Sequence, residues 1–382
     1  MEKIGKGGIY IHVPFCNNKC LYCDFYSGGS RIADWDKYVL ALQNELNSRE
    51  KELVFDPLTL YIGGGTPSLM PIHHLRMLIH YIKKKVSKTD WDEFTLEVNP
   101  EDVTKNNCEE WKSLGVNRVS LGLQTLNTDL LKKIGRRHDD KTGLKALELL
   151  LNTFNNVSVD LMFGLPEQSL SNHEKTIDII INLRPHHISS YSLMLEPGTP
   201  MTLLENQGKI ILPPEEDWIR MFQMTVDKLK SSGYIHYEIS NYSLPGYQSV
   251  HNTSYWQGAP YLGLGPSAHS YDGVNIRRAN PKDIKGYLKN FLNPVSSIKK
   301  IYSEEYLSYE ERREEMVMTR LRTSQGLNLK EFLLKFGKEN KKKLQQKSRE
   351  YIFQGLMKES MGYLSFTEKG ILVSDTILSH LI

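Results

Sequence analysis

Apolar residues follow two alternating rhythms through the first half of the chain. Short runs dense in β-branched and aromatic residues occupy 8–14, 58–62, 94–98, 118–123, 157–162 and 187–193. Between them, apolar positions recur at helical spacing over 32–49, 73–85, 104–114, 142–154 and 170–183. Runs this short and this apolar read as strands buried on both faces, and helices between successive strands make the strands parallel. The pattern predicts an α/β fold, a parallel sheet curled into a partial (β/α)6 barrel with its helices outside. In such a barrel the functional groups gather where the strands end. The GGGTP run at 63–67, Glu97, Gln124 and Asp160 all close or follow a strand, so they mark that end.

The rhythm then changes twice. Residues 195–294 are looser and rich in Tyr, Gly, Pro and His, which suggests an accessory region covering or flanking the open end of the barrel. From about 303, helical stretches at 304–322, 329–335 and 341–358 precede GYLSFTEKG, which reads as a hairpin or wing. This is the pattern of a helical, winged-helix-like domain. The expected division is therefore a core at 1–200, an accessory region at 201–300 and a C-terminal domain at 301–382. A length of 382 residues suits two or three domains.

Charge adds little. Forty-eight basic and 45 acidic residues leave a net +3, so nothing pulls the whole chain toward nucleic acid or a membrane. The lysine-rich run at 330–349 lies beside the acidic run at 304–315, and both read as solvated helix faces rather than a DNA-binding surface. MEKIGKGGIYIHVPF has no apolar signal-peptide core, and no stretch reaches the apolar length of a transmembrane helix. A cytoplasmic protein is expected.

The cysteines change the picture. Of the four, Cys16, Cys20 and Cys23 fall within eight residues, and Cys108 sits alone in a helical stretch, where a packed thiol is expected. Clustered cysteines in such a chain point to metal or redox chemistry rather than disulfides. Thiolates suit iron–sulfur clusters, whereas zinc normally takes four ligands and would need a remote histidine to complete a Cys3His set. Three thiolates on a four-iron cluster leave one iron open, free to chelate the amino and carboxylate groups of a methionine moiety.

Cys16-x3-Cys20-x2-Cys23, with Tyr22 before the third cysteine, resembles the hallmark of the radical S-adenosylmethionine superfamily. GGGTP resembles that family's glycine-rich strand end, where backbone approaches the cofactor. IHVPFCNNKCLYCDFYS, YIGGGTPS, TLEVNP, RVSLGLQ, VDLMFGLP and YSLMLEPGTP follow the order found in oxygen-independent coproporphyrinogen III oxidases and their close relatives. The resemblance implies a [4Fe–4S] cluster on Cys16, Cys20 and Cys23, fed by an electron donor. It also implies an S-adenosylmethionine site lined by Tyr10, Tyr22, Gly65, Thr66, Glu97, Gln124, Arg136 and Asp160. Chemically, Glu97 and Asp160 offer carboxylates to an ammonium or ribose hydroxyls, Arg136 can pair with a carboxylate, and Gln124 can bond ribose.

The chain departs from the oxidase pattern at Phe25, where that pattern has a fourth cysteine, and only fifteen residues precede Cys16. Both features, with HNTSYW at 251–256, resemble the sister family of HemW-type heme chaperones. That resemblance implies heme contact at His251, Tyr255 and Trp256, and transfer of heme to an acceptor hemoprotein such as one of respiration. The alternative from a different class is the oxidase, which decarboxylates propionates of coproporphyrinogen III by radical chemistry. Among the other histidines, His12 reads as a structural residue in the strand before the cysteines and the pairs His73–His74 and His186–His187 as surface residues, while His12 or His269 is the alternative heme ligand should His251 not serve.

Overall fold

Six parallel strands pair in chain order at the centre of the molecule. They are β1 (Lys6–Val13), β2 (Asp56–Gly64), β3 (Glu93–Val98), β4 (Arg118–Gln124), β5 (Val157–Phe163) and β6 (His187–Ser192). The computed structural model describes residues 5–29, 34–293 and 297–382. Helices α1 (Trp35–Ser48), α2 (Ile72–Val86), α3 (Lys105–Ser113), α4 (Thr128–Lys133), α5 (Asp140–Thr153) and α6 (Leu170–Leu183) join the strands. Each expected strand overlaps an observed one. The helix expected at 32–49 is seen from Trp35, and positions 32 and 33 lie outside the described residues.

Local signals account for these elements. On α2, Leu75, Leu78, Ile79 and Ile82 follow helical spacing and are buried against the sheet. Helix α6 starts at a capping box in which Ser169 and Asn172 satisfy each other's backbone N–H groups. The strands carry Ile9, Ile11, Leu60, Ile62, Leu96, Leu121, Val159 and Leu161 into one continuous core.

The looser region does more than flank the barrel. Helices α7 (Pro200–Asn206) and α8 (Glu215–Ser231) follow β6, and β7 (Ile235–Glu238) and β8 (Asn241–Ser243) extend the sheet antiparallel beyond it. After α9 (Val250–Trp256), strand β9 (Tyr261–Leu264) runs parallel to β1 at the opposite edge. Strands β10 (His269–Tyr271), β11 (Ile276–Ala279) and β12 (Ser303–Tyr306) continue from there, with α10 (Ile284–Phe291) between β11 and β12, giving this sheet twelve strands among the described residues. Strands of three or four residues carry too little alternation to be read from sequence. Helix α8 had a readable stripe, Met221, Phe222, Val226 and Leu229, which the irregular composition around it masked.

The C-terminal region has its own core of Val317, Leu321, Phe332, Leu344, Leu364 and Leu378. It comprises α11 (Tyr309–Leu321), α12 (Leu329–Phe353), α13 (Glu368–Ile371) and α14 (Ser374–Leu381). A three-stranded sheet of β13 (Leu327–Asn328), β14 (Met357–Ser360) and β15 (Tyr363–Phe366) forms the wing. The helix expected from 304 begins instead at Tyr309, because Ser303–Tyr306 pairs with β11 and Ser308 with Glu311 forms a capping box. Gly337, at φ 81° and ψ 171°, breaks α12 between the two expected helices. Thr323 bridges to Glu238, tying this region to the sheet edge.

Two histidines expected at the surface are buried. His74 lies under α1 and meets Asp36 at 2.8 Å. His187 points inward from β6, where Ser158 Oγ (2.8 Å) and the Tyr237 hydroxyl (2.7 Å) engage its nitrogens. Adjacent positions on a strand or helix point to different sides, so a His–His pair is split by its own backbone geometry. Among the described residues no helix is long and apolar enough to cross a membrane.

Candidate functional site

Strand β1 delivers the chain directly into the cysteine loop. Phe15–Cys16 pairs with Gly28–Gly29, closing the loop at its base. Its middle is pinned at three points: Leu21 N donates to Ile134 O (3.1 Å), Met201 N donates to Leu21 O (2.9 Å), and Asn18 Nδ2 donates to Gly135 O (3.1 Å). Leu21 and Tyr22 pack on an apolar cluster of Leu130, Leu131, Ile134, Met162, Leu165 and Met201. The loop is thus held by its apolar residues, which leaves the cysteines half-buried and facing a cavity of about 380 Å³.

That cavity lies at the C-terminal ends of the barrel strands. Cys16, Cys20, Cys23 and Tyr22 line it together with Gly65, Thr66, Glu97, Gln124, Arg136 and Asp160. Tyr10 lines a neighbouring cavity instead. Cys108 is fully buried in α3, far along the chain from the loop.

The GGG run is required by close packing before any ligand is considered. Gly64 has φ 113°, and a Cβ there would meet the His12 ring at 2.7 Å. A Cβ on Gly65 would lie 2.8 Å from Phe15 O, 2.9 Å from Val13 O and 3.0 Å from Cys16 Sγ. The second strand end can therefore touch the cysteine loop only as glycine.

Polar groups converge on the sulfurs. Thr66 Oγ1 donates to Cys16 Sγ (3.5 Å) and Arg136 Nη1 donates to Cys20 Sγ (3.7 Å). Burial pulls the Arg136 pKa down, but Tyr22 and Cys20 beside it more than compensate, so it stays cationic. Asn99 Oδ1 (3.0 Å) and Gly122 O (2.5 Å) fix its guanidinium. Burial pushes the Cys23 thiol up to about 11, with Phe25's backbone N–H opposing. Donors aimed at sulfur suit thiolates that carry metal. Among the described residues no three or more Cys, His, Asp or Glu side chains converge as a site for a metal ion. The three sulfurs instead share one cavity, an arrangement in keeping with ligands spread over the corners of a cluster.

Two carboxylates face each other across the strands. Glu97 accepts from the Tyr61 hydroxyl (2.7 Å) and Gly64 N (3.0 Å). Burial first, and Asp160 next among the groups that raise it, push its pKa to about 7. Asp160 accepts from Ser120 Oγ (3.1 Å), and burial raises its pKa too. Gln124 sits at φ 67°, a left-handed conformation costing on the order of 1–3 kcal/mol for a non-glycine residue, at a break in strand register.

HNTSYW lies in α9, which packs against the N-terminal parts of β1, β2 and β3. His251 is fully buried, Thr59 Oγ1 meets its Nδ1 at 2.7 Å, the Tyr255 hydroxyl meets its Nε2 at 2.7 Å, and Tyr61 stacks on it at 4.9 Å. Burial pushes its pKa down to about 3. An iron could reach this ring only by displacing one of its hydrogen-bond partners. Trp256 and Tyr255 line a separate cleft of about 500 Å³ against α11 and α12. Sequence reasoning missed Glu93, buried at the start of β3. It accepts from Ser249 Oγ (3.1 Å), Val250 N (2.8 Å) and His251 N (3.0 Å), and so seats α9. The signal was a charge opening the otherwise apolar strand EFTLEV.

Comparison with known proteins gives this arrangement a family. The radical SAM superfamily profile matches residues 10–180, and the HemN C-terminal domain profile matches 307–373. The heme chaperone HemW of Bacillus subtilis is 34% identical, over 96% of this chain and 97% of that protein. The heme chaperone HemW of Escherichia coli is 30% identical over 99% and 98%. The solved structure of coproporphyrinogen III oxidase (HemN) from Escherichia coli, a radical SAM enzyme, superposes with a TM-score of 0.83, at 21% identity over 100% of this chain and 90% of that chain. At that identity it shows the fold alone. With similarity to HemW running end to end, the chain belongs to the radical SAM superfamily and, within it, to the HemW family.

Proposed function

We propose that this protein is a heme chaperone that binds heme and passes it to an acceptor hemoprotein, one serving respiration. The observation that carries the reading is end-to-end similarity to relatives named heme chaperone HemW. In this reading Cys16, Cys20 and Cys23 hold a [4Fe–4S] cluster, served by an electron donor. Once bound, the cluster would supply an iron with room for S-adenosylmethionine and a route for single electrons. Arg136 pairs with the methionine carboxylate, and Glu97 and Asp160 take the ammonium or ribose hydroxyls. Gln124 bonds ribose, and Gly65 and Thr66 offer close backbone. Tyr22 closes the cysteine side, and Tyr10 backs the adjoining wall. Tyr255 and Trp256 present aromatic faces to heme. The core at 1–200, the accessory region at 201–300 and the C-terminal domain at 301–382 divide these roles, in the cytoplasm.

The test is anaerobic reconstitution followed by hemin titration, with a coproporphyrinogen III assay in parallel. Stoichiometric heme binding without conversion of coproporphyrinogen III is expected. Serine at Cys16, Cys20 or Cys23 should abolish the iron–sulfur absorption, while Cys108→Ser should keep it. S-adenosylmethionine should alter the EPR spectrum of the reduced cluster, and less so in Arg136→Ala. Robust decarboxylation, or no heme binding in either the apo or the cluster-loaded form, would overturn the reading.

A further inference from the structure

A second cavity, of about 380 Å³, neighbours the cysteine cavity and shares Phe25, Gly64 and Glu97 with it as lining. Tyr255 and Tyr261 form a wall common to this second cavity and the cleft against the C-terminal helices. A volume of this order lies within the range of ligand pockets, about 300–1,000 Å³. One of its lining residues, Phe25, is 63% exposed to solvent.

Imidazole is a common axial ligand of heme iron, and it binds through a free ring nitrogen. The histidines around these cavities differ in that respect. His251 is held at both nitrogens, as described above. His12 is held too, with Tyr10's hydroxyl at 3.0 Å from Nδ1 and Tyr26 O at 2.9 Å from Nε2. His269, which opens β10 and lines the second cavity, is exposed, and among the described residues no hydrogen-bond partner holds its ring nitrogens. Its cross-strand partner is Ala279, too small to cover it.

We propose that His269 is the protein ligand to the iron of a bound heme, seated in the cavity between Phe25 and the Tyr255–Tyr261 wall, which narrows the heme contact proposed above to Tyr255 and leaves Trp256 in the cleft behind that wall. The proposal rests on the heme-binding reading above and names the residue that performs it. The rings of Tyr255 and Tyr261 meet edge to face at 4.5 Å and supply a rigid aromatic side for the porphyrin. Lys282, exposed on the same cavity, is the cation for a propionate. Asp24, from the cysteine loop, and Glu97, from β3, line the same cavity. Burial, Arg277 and Lys282 all lower the His269 pKa, so the imidazole is neutral, its ligating form, at pH 7. His251 then acts as a positioning residue, since its Nε2 fixes the Tyr255 hydroxyl.

The experiment is hemin titration of the full-length, anaerobically reconstituted chain, read by the Soret band. His269→Ala should shift the band and weaken hemin binding by about tenfold or more. Free imidazole added to that variant should restore the wild-type band. Its iron–sulfur absorption and melting temperature should stay at wild-type values, because the side chain is exposed. His251→Gln, which keeps two polar ends, should leave the Soret position unchanged. A wild-type band and affinity in His269→Ala would overturn the proposal while leaving the heme reading intact. So would a shifted band in His251→Gln alone. Failure of the wild-type chain to bind hemin would overturn the heme reading itself, and it is visible before any variant is made.

Discussion

Replacing Glu93 with alanine should release α9 from the sheet. The carboxylate is 2% exposed and receives three hydrogen bonds from the first residues of that helix. Arg118, buried beside it, has its Nε 3.9 Å from the same carboxylate and no hydrogen bond of its own there. Each hydrogen bond to a charged group contributes about 1.5–3 kcal/mol, but their sum overstates the loss because water can enter the space left behind. Removing one member of a buried ion pair costs about 3–5 kcal/mol, mostly from the charge left uncompensated. The second figure sets the scale, so Glu93→Ala should lose about 3–5 kcal/mol. Glu93→Gln keeps the shape and one acceptor oxygen and should lose about 1–3 kcal/mol. Adding Arg118→Met to Glu93→Gln should recover part of that loss, since the orphaned charge goes with it. Urea unfolding of the apo chain, followed by tryptophan fluorescence, measures all three. Trp256 on α9 should also become more accessible to a fluorescence quencher in Glu93→Ala. A loss under roughly 1 kcal/mol with unchanged quenching would refute the idea that this carboxylate seats the helix.

Two further outcomes follow from the site. Gly65→Ala would place a methyl 2.8 Å from Phe15 O and 3.0 Å from Cys16 Sγ, so cluster incorporation should drop sharply with every cysteine present; full iron content after reconstitution would refute this. Glu97 holds its proton to about pH 7 in the folded chain against an ordinary 4.5, so the folded state binds more protons across that window and loses stability as pH rises through it. Glu97→Gln removes this term. Its stability relative to wild type should therefore improve between pH 5 and pH 7 by on the order of 1–3 kcal/mol, and unfolding curves at the two values that stay parallel would count against it.

The barrel could be read from the sequence because its strands are short, apolar and separated by helices of clear periodicity. Burial on both faces leaves no ambiguity of phase in runs such as those containing Leu60–Ile62 or Val157–Val159. The cysteine loop was equally legible, since its three cysteines lie within eight residues. Glu97, Gln124 and Asp160 line one cavity in keeping with their positions at strand ends, whereas Arg136, in the loop after α4, came only from the family resemblance.

The sequence by itself thus determined the elements whose information is local: period, capping and ligand spacing. Tertiary structure decided whatever depends on partners far along the chain. His251 looks available within HNTSYW, yet Thr59, Tyr61 and Glu93, more than a hundred residues away, bury and bind it. His269 lies in the looser accessory region, whose sequence shows no strand pattern, yet pairing of β10 with β11 sets it in one cavity with Tyr255 and Tyr261. The edge strands β7 to β12 form because the barrel's outer strands present unpaired N–H and C=O groups, which short segments can satisfy without a periodic pattern of their own. Whether a ring nitrogen is free, or a cavity open, depends on which distant groups are brought alongside it, and that is set by the folded chain.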